Sequence, residues 1–303
     1  MTEWTVFQRK IADFLPDIDL KMNESLARHT SFRIGGPAEV MAFPKSAEEL
    51  SCVLKAAKKL AVAPVILGAG TNVLAPDEGL EGLVICLKDC LGGMERLNDT
   101  AIRIYAGVTM ARAAVFAAGL GLSGMEFAHG IPGTVGGGVY MNAGAYGGEI
   151  SQVCAQVSVM DMDGNQKLLS NEEMGFSYRN SRIQQGNDIV LLADFALQPQ
   201  PEVAIREKMQ ELQAKRRASQ PLDLPSAGSA FKRPATGYAA AMIDQAGLKG
   251  FQIGGAAVSE KHAGFVVNLG GATASDVRTL LAAVADKVES IHGVRLEPEV
   301  RIW

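Results

Sequence analysis

The chain is poor in the residues that most often announce a mechanism: it has four histidines, four cysteines, five tyrosines and two tryptophans among 303 residues. The histidines, His29, His129, His262 and His292, are scattered, so proximity suggests neither a histidine-rich metal site nor a Ser/His/Asp triad. No metal is expected. Cys52, Cys86, Cys90 and Cys154 show neither zinc spacing nor a secreted disulfide framework, which leaves free buried thiols in a reducing compartment as the expectation. Positive charge is not in excess: 29 Lys and Arg face 33 Asp and Glu, for a net charge of -4. That argues against nucleic acid as a partner, since neutralising phosphates takes a dense basic face. Apolar runs long enough to span a bilayer are also missing. Met1 to Leu15, with Glu3, Arg9, Lys10 and Asp13 among Trp4, Phe7, Ile11 and Phe14, reads as an amphipathic surface helix and not as a signal peptide. The expectation is a cytoplasmic protein, monomeric, that acts on small molecules.

What the chain does have is apolar and glycine residues, with 48% hydrophobic residues and 33 glycines. Its length suits two or three compact units, so a cleft able to hold a large ligand is a reasonable prior. Ala38 to Phe43 reads as a strand, and Ser46 with Glu49 as a capping box opening a helix with apolar residues Leu50, Val53, Leu54, Ala57 and Leu60. Pro64 to Leu67 follows as a buried strand. That order implies a parallel, right-handed crossover, which puts the turn Gly68-Ala69-Gly70 at a strand's carboxyl end, where ligands gather. From Gly82 a second α+β unit is expected: strands at Leu83 to Leu87 and Ile102 to Ala106, a helix near Arg112 to Ala118, and a glycine-rich stretch from Gly119 to Gly148. Val157 to Met162 and Gln166 to Leu169 form a hairpin about Asp163-Gly164, with Asp188 to Leu197 a further strand. Pro199-Gln200-Pro201 marks a boundary. Beyond it come a charged helix from Glu202 to Arg217, a loop from Gln220 to Pro234, and a helix from Thr236 stopped by Gly247. The strand Ala263 to Asn268, the helix Thr273 to Ile291 and an extended segment Val294 to Ile302 complete the chain.

Two glycine clusters invite a ligand. Gly68-Ala69-Gly70-Thr71-Asn72 lets backbone amides approach an anion, although it is neither a GxGxxG nor a P-loop. Alone, a tight turn explains it. The second cluster, Gly130 to Gly138 and Asn142-Ala143-Gly144-Ala145-Tyr146-Gly147, carries enough backbone entropy cost that a loop folded against a ligand is the better reading. Together the two could enclose an extended diphosphate cofactor. Basic residues at Lys215-Arg216-Arg217 and Lys232-Arg233 could meet a small polyanion, while cations at a helix C-terminus are the plainer reading of the first group. Tyr178-Arg179-Asn180-Ser181-Arg182, placed after a short helix, reads alone as a surface salt-bridging group. Ser226-Ala227-Gly228-Ser229-Ala230-Phe231 lacks a hydrolase elbow, so both serines read as turn residues. Glu299 reads as one charge on a solvated face.

Taken in order, these segments resemble the UDP-N-acetylenolpyruvoylglucosamine reductase family. The resemblance is carried by His29-Thr30-Ser31-Phe32-Arg33-Ile34-Gly35-Gly36, the two glycine loops, Tyr178-Arg179, Ser226 to Phe231, and Leu296-Glu297-Pro298-Glu299-Val300-Arg301. It runs from about residue 24 to the C-terminus. No Tyr occurs between Tyr178 and Tyr238, which is similar to the family's shorter branch, lacking a Tyr-bearing insertion. Arg233 stands where many relatives have Asn, and His129 where a smaller or apolar residue is usual.

The resemblance implies an α+β protein of three domains. Residues 1–75, joined by 295–303, and residues 76–200 would form a vanillyl-alcohol-oxidase type FAD-binding fold, with 201–294 covering the substrate. It implies non-covalent FAD, NADPH as hydride donor and UDP-N-acetylglucosamine enolpyruvate as substrate. Leu67, Gly68, Ala69, Gly70, Thr71, Asn72, Pro132, Gly133, Thr134, Gly136, Gly137, Asn142, Gly144 and Ala145 would line the cofactor. Tyr178, Arg217, Lys232 and Arg233 would meet the substrate. Arg179, Ser229 and Glu299 carry over as the catalytic groups: a fixed guanidinium, a hydroxyl that gives its proton to the reduced carbon's neighbour, and a protonated carboxyl that hydrogen-bonds the developing charge. A flavin oxidase of the same fold, and a catalytically silent nucleotide-binding protein, are the alternatives.

Overall fold

The first helix, α1, spans Val6–Phe14 and opens with a full capping box: Gln8 N donates to Thr5 Oγ1, and Thr5 N to Gln8 Oε1. The computed structural model describes residues 5–303, so Glu3 and Trp4 of the expected amphipathic helix lie outside the described residues. The chain divides into two compact units. Unit 1 comprises 1–22, 39–69 and 82–215, and unit 2 comprises 23–38, 70–81 and 216–303.

Unit 1 is built on two sheets. The first has four strands in the order Leu20–Ser25, Pro37–Ala42, Leu80–Cys86, Val65–Leu67. The helix α2, Ala47–Lys59, buries Leu50, Val53, Leu54 and Ala57 as the spacing predicts. Its capping box is only half made. Ser46 Oγ accepts from Glu49 N at 3.1 Å, but the Glu49 carboxylate reaches Lys45 N instead of the cap residue's own amide. Pro37–Ala42 and Val65–Leu67 are not neighbours, because Leu80–Cys86 lies between them and is the strand paired in parallel with Val65–Leu67. The segment Leu83 to Leu87 therefore completes the first sheet and does not open a second unit.

The second sheet runs Gln166–Ser170, Cys154–Met160, Ile189–Ala196, Ala101–Tyr105, Met94–Arg96, antiparallel throughout. The expected hairpin about Asp163-Gly164 is present, with Met160 opposite Gln166. Alternation along these strands sends Ile102, Ile104, Val157, Val159, Ala193 and Phe195 inward, all with no exposed surface. Two helices follow in this unit: α3, Met110–Gly119, capped by Thr109, and α4, Val135–Tyr140, capped by Thr134. The next helix, α5, Glu202–Ser219, places Ile205 and Met209 in the unit 1 core. The prolines at 199 and 201 thus end a strand and open a helix, and the units part at residues 215 and 216.

Unit 2 has shorter strands. Its sheet runs Ser226–Ser229, Phe265–Asn268, Ala256–Val258, Gln252–Ile253. The stretch 220–234, expected as a loop, is interrupted by the first of these strands. The helix α6, Ala239–Gln245, starts three residues later than the Thr236 expectation, after Gly237 in a left-handed turn. The last helix, α7, Ala274–His292, is closed at one end by a capping box between Thr273 and Asp276 and at the other by Gly293 at φ 66. Asp77 adds to its start, accepting from the amides of Ala274 at 2.7 Å and Ser275 at 3.1 Å. Its face Val277, Leu280, Leu281, Val284 and Val288 packs into a core with Phe32, Leu74, Phe231, Leu296 and Val300.

The cysteines are not all buried: Cys86 and Cys154 are, Cys90 is half-buried, and Cys52 is exposed on α2. Among the described residues no helix is long and apolar enough to cross a membrane, and no group of His, Cys, Asp and Glu is arranged to hold a metal ion.

Candidate active site

In unit 1 the two glycine clusters meet. Gly68 directly follows the strand Val65–Leu67, and a Cβ placed on it would lie 2.8 Å from Thr134 Oγ1, the cap of α4. The glycine-rich stretch is not one loop. From Val135 it is helical, and its glycines serve packing: a Cβ on Gly136 would meet Ala106 Cβ at 2.9 Å, and one on Gly138 would meet Met110 Sδ at 2.8 Å. The amides of residues 135 to 138 are also taken, by Val108 O, Ala106 O, Thr134 Oγ1 and Thr134 O respectively.

What remains is specific. Among the described residues the amides of Gly68, Ala69, Gly133 and Thr134 donate to no protein acceptor. Backbone amides away from bulk water rarely go without partners. Thr134 is buried, Gly68, Ala69 and Gly133 are half-buried, and Gly133 sits at φ 134, a conformation open to glycine alone. Two of the four donors in this cradle belong to glycines, which leaves their backbone open to close approach by an anion. Leu67 is buried in the strand behind the cradle, and Pro132 is exposed at its rim. Gly137 is exposed, and a Cβ on it would meet nothing closer than Thr134 Oγ1 at 3.5 Å.

The other expected cofactor residues are placed differently. Asn142, 1% exposed and at φ 42, spends its side chain inside the fold: Nδ2 donates to Ser177 O at 3.0 Å, and Oδ1 accepts from Ser151 N at 2.9 Å. Gly144 and Ala145 form one arm of a tight hairpin with Gly148 and Glu149, where a Cβ on Gly144 would meet Glu149 Cβ at 2.7 Å. Arg179 Nη2 donates to Gly144 O at 3.2 Å, and its guanidinium lies 5.1 Å from the Tyr178 ring centre. Tyr178 is 52% exposed. No helix precedes the pair. They occupy a turn in which Ser177 and Asn180 exchange backbone hydrogen bonds, with Arg179 at φ 53.

Unit 2 holds the rest. Ser229 is exposed at the end of the strand Ser226–Ser229, after an irregularity in its pairing that includes Gly228 at φ 78. The next residue, Ala230, donates to Gly264 O and accepts from the amide of Glu299 at 2.9 Å. Lys232 N donates to Glu297 O at 2.9 Å, and Phe231 faces Pro298 across the same bridge. Ser229 and Glu299 are thereby brought onto adjacent extended segments from near the two ends of the stretch 216–303. Asn72 locks the second of them: its Nδ2 donates to Glu299 O at 3.2 Å and its carbonyl accepts from Arg301 N at 3.0 Å. The terminal segment is regular strand only at Arg301–Ile302, paired in parallel with Val73–Leu74. Its expected alternation holds for buried Leu296 and Val300 but not for Ile302, which is 42% exposed, and Glu299 is half-buried.

Gly70 and Thr71 belong to this unit also. Gly70, at φ 60, packs so close that a Cβ would lie 2.1 Å from His29 O, and its carbonyl accepts from Ser31 N at 3.1 Å. Ser31 Oγ in turn donates to Ser226 O at 2.6 Å. Ser31 is visible in the sequence only as part of a motif; nothing in its type signals a tie between the Gly70 turn and the serine strand. Lys232 pairs with Glu297 at 3.1 Å, Arg233 stacks 4.2 Å from the Tyr238 ring centre, and exposed Arg217 lies in the last turn of α5 with its carbonyl accepting from Lys261 Nζ at 2.6 Å.

An α+β fold with glycine-lined amides open to an anion is the kind of frame that suits a diphosphate-bearing cofactor. The comparisons with known proteins identify that cofactor. A family model described as "FAD binding domain" matches residues 38–170, and one described as "UDP-N-acetylenolpyruvoylglucosamine reductase, C-terminal domain" matches residues 220–303. The UDP-N-acetylenolpyruvoylglucosamine reductase of Latilactobacillus sakei is 46% identical over 287 residues, covering 94% of this chain and 93% of the relative. That of Syntrophomonas wolfei is 44% identical over 293 residues, covering 97% and 98%. Among solved structures, the UDP-N-acetylenolpyruvylglucosamine reductase (MurB) of Thermus caldophilus superposes with a TM-score of 0.79 at 33% identity, covering 94% of this chain and 98% of its own. The chain belongs to the UDP-N-acetylenolpyruvoylglucosamine reductase family, and it is an FAD-containing oxidoreductase.

Proposed function

We propose that the chain reduces UDP-N-acetylglucosamine enolpyruvate to UDP-N-acetylmuramate in peptidoglycan synthesis, with NADPH as the source of hydride and the cytoplasm as its place of work. The observation that carries the reading is the pairing of Ser229 and Glu299 on adjacent segments of unit 2, in a chain whose other unit presents the amide cradle. The amides of Gly68, Ala69, Gly133 and Thr134 would hold the diphosphate of FAD, a cofactor that would supply hydride transfer between the nicotinamide and the enolpyruvyl group.

The residues answer to what that addition demands. An enolpyruvyl ether is a Michael acceptor, so hydride at its terminal carbon pushes negative charge toward the carboxylate. Arg179 offers fixed donors for that charge, and Glu299, protonated, offers one more. Ser229 then delivers its proton to the carbon next to the carboxylate. A hydroxyl is a weak acid, but the enediolate is a strong base, and placement decides the rate more than acidity does. The exposure of Ser229 suits a group that must reach a substrate and not stabilise the fold. We read residues 201–294 as the region that covers the sugar nucleotide, with Tyr178, Arg217, Lys232 and Arg233 as its contacts. Lys232 would have to leave Glu297 to serve.

The test is Ser229→Ala assayed in halves. NADPH should still bleach the bound flavin at close to the normal rate, while reoxidation by the enolpyruvyl substrate falls about 100-fold or more, the scale of a lost general acid. Equal losses in both halves would make Ser229 structural and defeat the reading. Denaturation should release the flavin; a flavin that stays with the chain would favour the oxidase alternative.

A further inference from the structure

Arg179 stands in the left-handed region at φ 53, which a non-glycine residue keeps only if its surroundings hold it there. The holding group is Gln184, a residue no motif singles out. Its Nε2 donates to Arg179 O at 2.9 Å and to Tyr140 O at 2.7 Å, so one amide ties the arginine's backbone to the last residue of α4. Ser181, fully buried, donates from Oγ to the same Tyr140 carbonyl at 2.8 Å. Asn142, just past the helix, fixes the front of the turn through Ser177 O. All three tethers converge on one end of α4, and the other end of that six-residue helix begins at Thr134, in the amide cradle.

We propose that Gln184 is a positioning residue for Arg179: it sets the direction of the guanidinium by locking the Tyr178–Asn180 turn to the C-terminal end of α4. This rests on the reading of Arg179 as a catalytic group. Because α4 also carries the cap at the cofactor cradle, the arginine is placed by the same rigid piece of backbone that meets the cofactor, so the two keep a fixed relation. The Gln184 amide donates to the Arg179 and Tyr140 carbonyls, so its loss should fall on the step that needs Arg179.

The experiment is Gln184→Met, which keeps length and volume but removes the donor. The flavin should bind and be bleached by NADPH as in the wild type, with reoxidation by the enolpyruvyl substrate slowed about 10-fold, the scale of two lost hydrogen bonds. The decisive measurement is a double-mutant cycle: on an Arg179→Ala background, Gln184→Met should slow reoxidation no further, because it acts only through the arginine. Multiplicative losses in the cycle, or a fall in both half-reactions, would overturn the proposal by making Gln184 a general support. Should Gln184→Met not fold, Ser181→Ala removes a single tether to the same carbonyl and should show the same pattern at about 3-fold. If Arg179→Ala alone leaves reoxidation intact, the functional reading falls and this proposal with it; if Arg179→Ala is slow and Gln184→Met is normal, only this proposal falls.

Discussion

Both units tie buried polar side chains to backbone, but the sheets differ: the second sheet of unit 1 adds an ion pair, and the sheet of unit 2 relies on neutral groups. Unit 1 has strands of up to eight residues and ties its second sheet with charge: Asp194, 3% exposed, accepts from Arg103 Nε at 2.8 Å, Arg103 Nη2 at 2.9 Å and Gln156 Nε2 at 2.7 Å. Unit 2 has strands of two to four residues and uses neutral side chains against backbone instead. Asn268, buried, donates to Phe32 O at 2.9 Å and accepts from the amides of Gly270 and Ala272; Thr30 donates to Ile34 O; Asn72 and Ser31 hold Glu299 and Ser226. Long ladders satisfy their own backbone and can spare side chains for ion pairs. Short ones cannot, and side-chain amides fill in for missing ladder bonds.

Breaking the charged tie should cost most. Asp194→Ala leaves Arg103 and Gln156 without their acceptor and should destabilise the protein by about 3 kcal/mol, read by urea unfolding. Burial acts to raise the Asp194 pKa, but the bonds from Arg103 and Gln156 and the Arg103 charge outweigh it, and the carboxyl is held below its ordinary value. Its stabilisation is therefore complete above about pH 4 and fades as the pH falls through the lowered folded value. The variant should flatten that acid limb.

Unit 2 should be more sensitive to backbone than to charge. Gly70→Ala places a methyl against the His29 carbonyl at a left-handed φ and should cost about 2 to 3 kcal/mol, whereas Gly228→Ala, with open space around it, should cost about 1 kcal/mol from φ alone. Equal costs at the two positions would deny that close approach is what Gly70 provides. A smaller effect is expected at His262, whose pKa burial lowers, partly offset by its hydrogen bonding. The unfolded chain takes up that proton first, so this contribution is full above about pH 6.5 and shrinks as the pH falls toward the folded value. His262→Phe should reduce the slope of stability against pH in that window. The exposed pair Lys58 and Asp163 marks the floor: Lys58→Ala should leave the urea midpoint where it is, since water and salt screen both charges.

The same contrast explains what is legible in the sequence. Unit 1's α2, α3, the hairpin about Asp163-Gly164 and Ile189–Ala196 follow apolar periodicity, and periodicity finds them within one to three residues. Three features escape it. The interposition of Leu80–Cys86 between two earlier strands is a matter of sheet order, which no local spacing encodes. The helical turn at Val135–Tyr140 hides behind three consecutive glycines, residues with low helix propensity, two of which are retained because Ala106 and Met110 leave no room for a Cβ. Gln184 and Asn142 act through tethers to distant carbonyls. In unit 2, Ser229 and Glu299 lie on segments too short for any pattern, so spacing assigns them to turn and surface; only resemblance across the whole chain points elsewhere.

The thiols lend themselves to a practical use. Burial pushes Cys154 up to about 12, Cys90 up to about 11 and Cys86 upward as well, which keeps all three protonated in neutral solution. Cys52 stands on the exposed side of α2, in a shallow groove with Ser51, Lys55 and Gln166. A maleimide dye should therefore mark one known point on unit 1 without any engineered cysteine.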